Sequence, residues 1–291
     1  MVSLNCWGVL QNCLDSLKSC EPQLSYEVIV IDNGSTDGLL TELPKHYPHV
    51  QLIKNDKNVG FTKATNQAIS LSSGELILWL NTDTLLTHNA ISQLCDFLDK
   101  RSSAGIVGPK VLNLDGTFQP QCKRGIPTPI ASLCYMLRLH RVFKINKIVN
   151  QYLLSHLSED ETHKVDAVSG CCLLAKREVW TQIGPLDEKI FAYGEDIDWC
   201  VRAKKFGWEI WYYPLSIIYH LKGMGGAHVK PYHKVWGLHS GMWVFYSNHL
   251  KQKYSFLVTV LVKIGISLSF ALACINIAVR KFVNSLFLRL R

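Results

Sequence analysis

No aspartate or glutamate follows Glu209 in this chain of 291 residues. Ten of its 31 Lys and Arg lie beyond that point, so the first 209 residues set 21 basic against 23 acidic side chains, and the net +8 belongs to the final third. A nucleic-acid binder spreads basic residues over a folded face. A basic segment that also turns apolar points to an anionic membrane surface, and no nucleic-acid partner is expected. No G-x-G-x-x-G follows the first strand and no G-x-x-x-x-G-K-[ST] occurs, which argues against a dinucleotide-dependent oxidoreductase and a P-loop NTPase. None of the ten cysteines has the C-x-x-C spacing of a zinc site, and no internal repeat is evident. No secretory leader pattern opens the chain, and Cys6, Cys13 and Cys20 recur every seven residues as positions on one helix face do. Reduced cytosolic thiols are therefore expected.

What is present starts with Leu76 to Thr84, L-I-L-W-L-N-T-D-T. Five consecutive apolar residues suit a strand buried on both faces of a parallel sheet, which leaves Asn81, Thr82 and Asp83 at its carboxyl end. Ligands bind at that edge of an open α/β sheet, where a lone carboxylate can hold a divalent cation that also touches a phosphate. Alternatively, Asp83 simply caps the helix beginning near Asn89. Ahead of this strand come the end of a short one at residues 2 to 5 and a helix over Gln11 to Ser19. Strands at Tyr26 to Ile31 and Val50 to Lys54 and a helix over Thr62 to Leu71 follow. Asp32 ends the second strand and opens a polar run through Gly38; Asn55 to Phe61 leads into the helix. Strands alternating with helices predict a doubly wound, mostly parallel sheet.

Further on, a helix over Ile91 to Asp99, a strand at Gly105 to Leu112 and a turn at Asn113 to Gly116 are expected. Thr117 to Lys164 reads as loops with one or two amphipathic helices that leave the sheet. Val165 to Ala175 returns to strand character around Ser169-Gly170, where the missing side chain would let a substrate approach the backbone. A helix from Glu195 to Phe206, stopped by Gly207, puts Glu195 and Asp196 at its N-terminus. They sit there either for the helix dipole or because one is a general base. Asp198 and Arg202, at i and i+4, read equally well as a surface pair. Two short strands broken at Pro214 deliver His220, and Lys222 to His228 forms a glycine-rich flap.

Between Phe256 and Val279 only Lys263 is charged, a stretch long enough to cross a hydrocarbon core of about 30 Å. Lys251 and Lys253 flank one end and Arg280, Lys281, Arg289 and Arg291 the other. Basic residues on both sides favour a helix or helix pair lying in the cytoplasmic interface over a clean span. A core helix is disfavoured because no acidic residue is available to neutralise the segment.

In order, Asn5, the Val30-Ile31-Asp32-Asn33-Gly34-Ser35-Thr36-Asp37-Gly38 segment, Asn58-Val59-Gly60-Phe61 with Asn66, Asn81-Thr82-Asp83-Thr84, and Gly108-Pro109 form one pattern. It continues through Asn113-Leu114-Asp115-Gly116, Ser169-Gly170, Gly184-Pro185-Leu186-Asp187-Glu188, Glu195-Asp196-Ile197-Asp198 and His220. Over about residues 2 to 228 the chain resembles family 2 glycosyltransferases of the GT-A fold, particularly the rhamnosyltransferase-like branch that builds bacterial surface polysaccharides. The resemblance implies a nucleotide-sugar donor, with L-rhamnose from dTDP-rhamnose as first choice, and a lipid-linked or polysaccharide acceptor. It also implies Mg2+ or Mn2+ as cofactor and inversion at the anomeric carbon. It assigns Asn5, Asp32, Asn58, Gly60, Lys63, Asn81 and Asp83 to the donor, with Asp32 on the nucleobase. Asp83 and His220 fall to the metal, Asp196 with Glu195 to catalysis, and Gly170 and Asp198 to the acceptor side. Asn81 stands where many members have the first acid of D-x-D, and Gly184-Pro185-Leu186 replaces Gly-Gly-Phe. The family's first strand carries more apolar residues ahead of Val2, so the chain is expected to start inside it. The division expected is a catalytic domain over 1–245 and a membrane-associated helical tail over 246–291. The enzyme would then be peripheral or monotopic on the cytoplasmic face of the inner (plasma) membrane. The alternatives are a nucleotidyltransferase, which would need a glycine-rich basic signature near its start, and a membrane-tethered nucleotide-sugar binding module without turnover.

Overall fold

The protein is described by a computed structural model covering residues 1–143, 146–225 and 230–289, with 284–289 as backbone only. Strands β1 (Val2–Ser3), β2 (Ile29–Asp32) and β3 (Gln51–Lys54) pair in parallel in that order. They are linked by α1 (Trp7–Cys20) and α2 (Leu39–His46). α1 forms because Leu10, Cys13, Leu14 and Leu17 recur at helical spacing, and these four are the residues it buries. Pro44 sits inside α2 and conceals it from a pattern search. α3 (Phe61–Leu71) then leads into β4 (Leu76–Leu80).

The second half comprises β5 (Thr84–Leu86), α4 (Ala90–Asp99), β6 (Ala104–Leu112), β7 (Lys123–Arg124) and α5 (Pro129–Met136). After these come β8 (His163–Val165), β9 (Ala167–Val168), β10 (Cys172–Lys176), α6 (Arg177–Ile183), α7 (Glu195–Lys205) and β11 (Glu209–His220). The main sheet runs β4-β10-β6-β11-β5, with β8 also on β11 and a separate β7-β9 pair. Here only β6 and β11 are parallel; β10 is antiparallel to both its neighbours. The three-stranded N-terminal sheet is thus parallel and the separate main sheet mixed. The long excursion between β6 and β10 replaces a crossover helix and returns the chain in the opposite sense. β11 continues through Pro214 as one strand, with the register shifting between Tyr213 and Ile217. A bulge there accommodates a residue that has no N–H to donate.

β1 is only two residues long. Between β2 and β4, where it falls short, lies a cavity of about 400 Å³ lined by Met1, Leu24, Val28, Ile29, Leu76 and Leu78. The Met1 ammonium is buried at its side and donates to the Ile29 carbonyl at 2.8 Å, and burial pushes its pKa down to about 6.

Two further helices follow the sheet. α8 (Pro231–His249) runs through position 245, and α9 (Phe256–Arg289) packs back on it. His239 Nε2 meets Ser269 Oγ at 3.0 Å, Tyr246 Oη meets Thr259 Oγ1 at 2.9 Å, and Lys263 lies over the Trp243 ring. α9 is one continuous helix, about 51 Å long at 1.5 Å per residue. Its stretch Phe256–Val283 has mean hydropathy 2.2 and is unburied, so by length and composition it could cross a membrane.

Candidate active site

The carboxyl end of β4 turns through Asn81, Thr82 and Asp83 into β5, which pairs with the end of β11 so that Thr84 faces His220. This pairing brings Asp83 Oδ1 to 3.2 Å from His220 Nε2. The other Asp83 oxygen accepts the Gly225 N–H at 2.9 Å. Burial pushes the Asp83 carboxyl up, but His220 and the Gly225 amide outweigh it and hold the pKa below the usual carboxylate range. Asp83 is therefore no helix cap. Residues 226–229 of the expected flap lie outside the described residues.

Gln119 defines the tautomer of His220. Its Nε2 donates to the carbonyls of Leu112 and His220 and to Asn113 Oδ1, which leaves Oε1 to accept from His220 Nδ1 at 3.1 Å. With Nδ1 committed to Gln119, His220 Nε2 faces the Asp83 oxygen either as the N–H of a protonated ring, the form that holds the Asp83 pKa down, or with a bare lone pair. Two acceptors keep that approach only by sharing a proton or a cation. Asn81 Oδ1, on the same loop, is buried without a hydrogen-bond partner among the described residues. A carboxylate, an imidazole and an orphaned amide oxygen suit Mg2+ or Mn2+, with diphosphate and water completing the shell. Among the described residues no three His, Cys, Asp or Glu side chains cluster as a self-sufficient metal site.

On the donor side, Asn5 sits at φ 49°, and its Oδ1 accepts from the Thr36 N–H at 2.6 Å, tying the end of β1 to the loop after β2. Asp32 is fully buried and accepts from the Gly34 and Ser35 amides at 3.1–3.2 Å. Its carboxylate thereby organises the loop that follows β2. Asn58 accepts from the Gly60 amide, and Gly60 closes against Phe191, whose carbonyl takes the Phe61 N–H at 2.9 Å. Lys63 is exposed on the first turn of α3.

Tyr193 and Gly194, both at positive φ, lead into the N-terminus of α7. The Tyr193 hydroxyl lies within electrostatic reach of Glu195 and Asp83, and the Cys171 thiol within reach of Asp83 and Asp196. Asp196 Oδ2 accepts from Arg124 Nη2 at 2.5 Å and from the Gly170 amide at 2.8 Å; Oδ1 accepts from the Ile197 amide at 2.7 Å. A Cβ on Gly170 would stand 2.9 Å from the Trp79 ring. Packing against Trp79 thus leaves no room for a side chain at this position, whose amide holds Asp196.

Arg124 is the site residue that sequence reasoning missed. It comes from the excursion that had no readable pattern, and it also donates to the Val168 carbonyl at 2.8 Å. The signal available was Lys123-Arg124 in a run without acids from Gly116 to Ser158.

Glu195 is buried, and its Oε2 has no hydrogen-bond partner. Burial, reinforced by the charge of Asp196, raises its pKa to about 8. The folded state thus binds a proton that the unfolded chain releases near pH 4.3, so Glu195 makes stability fall as pH rises from there to about 8. Glu195→Gln is expected to flatten that slope in thermal melts between pH 5 and 8; an unchanged slope would remove the buried-acid assignment.

Asp198 is not on the acceptor side. Two residues from Asp196, it lies about 200° around the helix. There Arg202 Nε donates to Oδ2 at 3.0 Å and His249 Nε2 meets Oδ1 at 2.7 Å. Burial would push its pKa up, but His249 and Arg202 hold it down, so its contribution to stability is present above pH ~3.9 and fades as pH falls through the folded value. Asp198→Asn is expected to destabilise the fold by about 3–5 kcal/mol in urea melts near neutrality, because it breaks a buried ion pair from one side.

A parallel nucleotide-binding half joined to a mixed half, with carboxylates at the carboxyl edge, is the architecture of GT-A glycosyltransferases. The glycosyl transferase family 2 model matches residues 1–176, and the chain belongs to that family. It is 29% identical over 256 residues to the N-acetylglucosaminyl-diphospho-decaprenol L-rhamnosyltransferase of Mycobacterium tuberculosis, spanning 80% of this chain and 82% of that one. It is 26% identical to a dTDP-rhamnosyl transferase of Shigella flexneri over 62% of this chain and 54% of the other. Among solved structures, a mannosyltransferase from Pyrobaculum calidifontis in complex with GDP-Man and Mn2+ matches with TM-score 0.58 and 15% identity, over 100% of this chain and 79% of that one. GalNAc-T7 with UDP, GalNAc and Mn2+ matches with TM-score 0.57 and 16% identity, over 75% of this chain and 42% of that one.

Proposed function

We propose that this glycosyltransferase moves L-rhamnose from dTDP-rhamnose, with inversion, to a lipid-linked saccharide or polysaccharide acceptor at the cytoplasmic face of the plasma membrane. The observation that carries the reading is the Asp83 and His220 pair, 3.2 Å apart, with Cys171 within electrostatic reach of both Asp83 and Asp196 and Tyr193 within reach of both Asp83 and Glu195. The choice of sugar and the lipid-linked acceptor rest on likeness to the mycobacterial rhamnosyltransferase. Attachment through the tail rests on α9, which is long, apolar and unburied.

Mg2+ or Mn2+ held by Asp83 and His220, with Asn81 beside them, would stabilise negative charge developing on the diphosphate as a Lewis acid. The loops around Asn5, Asn58 and Gly60 shape the donor pocket, and Lys63 offers a cation at the start of α3. Asp196 Oδ2 is occupied by Arg124 and Gly170, so Oδ1, with a lone pair free beyond Ile197, receives the acceptor's proton. Fixing the hydroxyl and the anomeric carbon in line supplies on the order of 7–11 kcal/mol of barrier reduction in the best cases. A second reading makes Glu195 the base, favoured by its unpartnered oxygen and a pKa of about 8, close to a working pH.

The test is incubation of the membrane-extracted chain with labelled dTDP-rhamnose, UDP-sugars or GDP-mannose and a lipid-linked acceptor, with and without Mn2+ or Mg2+. Metal-dependent release of dTDP together with labelled lipid supports the proposal. Release of sugar 1-phosphate with transfer of the nucleoside monophosphate would make it a nucleotidyltransferase, and binding without product a binding module.

A further inference from the structure

The excursion that delivers Arg124 also carries a surface that the reaction does not use. From Gly116 to Ser158 there is no aspartate or glutamate. Within this run α5 begins at an N-cap, Thr128, whose side chain accepts from the Ala131 amide, and it buries Ala131 and Cys134 against the body. Its other side, and the turn after it, expose Ile130, Leu133, Leu137, Val142, Phe143 and Ile148 at 53–74% of their surface. Interleaved with them are Arg138, Arg141 and Lys147, all exposed, and no carboxylate lies within salt-bridge distance of them among the described residues. His140, stacked on Tyr135, has its pKa pushed down by burial and by Arg141 and Arg138, a sign of concentrated positive charge.

A short helix with an anchored face and an exposed apolar one, followed directly by a turn in which large apolar side chains alternate with unpaired cations, forms the pattern of a segment that lies in a lipid interface. The charge selects the partner: with no acid in 43 residues, the surface complements an anionic one. We propose that residues 129–143 form a second membrane contact, separate from α9, that seats on an anionic bilayer surface. This rests on the reading of the protein as an enzyme of membrane-borne acceptors. The contact is tied to the reaction centre: the Gly125 amide donates to the Tyr152 carbonyl at 2.9 Å at the root of the excursion, next to Arg124 on Asp196.

The test uses the full chain and two kinds of vesicle, phosphatidylcholine alone or mixed equally with phosphatidylglycerol. Hydrogen exchange of the amides of 130–143 is expected to slow about tenfold or more on the mixed vesicles and to stay unchanged on phosphatidylcholine. R138Q/R141Q, at two exposed positions, is expected to abolish that slowing with an unchanged melting temperature. Equal exchange on both vesicles overturns the proposal. So does slowing that appears without lipid and grows with protein concentration, since a second copy would then be covering the patch. Flotation with phosphatidylcholine vesicles reads α9 separately. A chain that fails to float there but is protected at 130–143 on the anionic vesicles keeps this contact and removes the α9 anchor.

Discussion

Asp83→Asn is expected to lower kcat/KM by about 10²–10³-fold, the usual consequence of removing one group that stabilises charge in the transition state. The substitution keeps the size of the side chain and its bond to the Gly225 amide, but it removes the negative charge beside His220 Nε2. A divalent cation held there as proposed would lose its anionic protein ligand, and the metal concentration for half-maximal activity should rise along with the loss of rate. The measurement is initial rate against Mn2+ at saturating donor. A variant within tenfold of the parent, with the same metal response, would leave Asp83 as part of the loop's framework and nothing more.

Asp196→Asn is expected to lower kcat by about 10²–10⁴-fold while donor KM changes little, because the proton acceptor is lost and the donor pocket is untouched. It also leaves Arg124 facing a neutral amide in a buried position, which costs about 3–5 kcal/mol of stability. Rates therefore have to be measured well below the variant's own melting temperature. Glu195→Gln is the matched control and should stay within about tenfold of the parent. If the two variants exchange behaviour, the base is Glu195 and Asp196 is the anchor that places it.

Much of this site was legible because each piece is local. The apolar run of β4 ending in Asn81, Thr82 and Asp83 announces a strand edge, and Leu10, Cys13, Leu14 and Leu17 announce the buried side of α1. Gly207, at φ 91°, ends α7 where the spacing placed the stop. Pairings that depend on distant segments were not legible. Nothing near Arg124 in the sequence says that it meets Asp196, 72 residues away, nor that Gln119 sets the tautomer of His220. The same holds for Asp198: its neighbour Arg202 suggested a solvated pair, and only the return of α8 buries it against His249. The mixed sheet escaped for a topological reason, since strand direction after an irregular excursion leaves no periodic trace.

The clasp between α7 and α8 determines how far the tail can be trimmed. His249 bonds Asp198 and meets Lys205 Nζ at 3.0 Å, although it lies beyond the boundary that composition alone suggests at 245. Truncation there would remove one of the two partners of the buried Asp198 carboxylate, leaving it to Arg202 alone on the helix that bears Asp196. A water-soluble version of the enzyme has to be cut between Leu250 and Phe256, sacrificing the greasy helix and sparing the histidine.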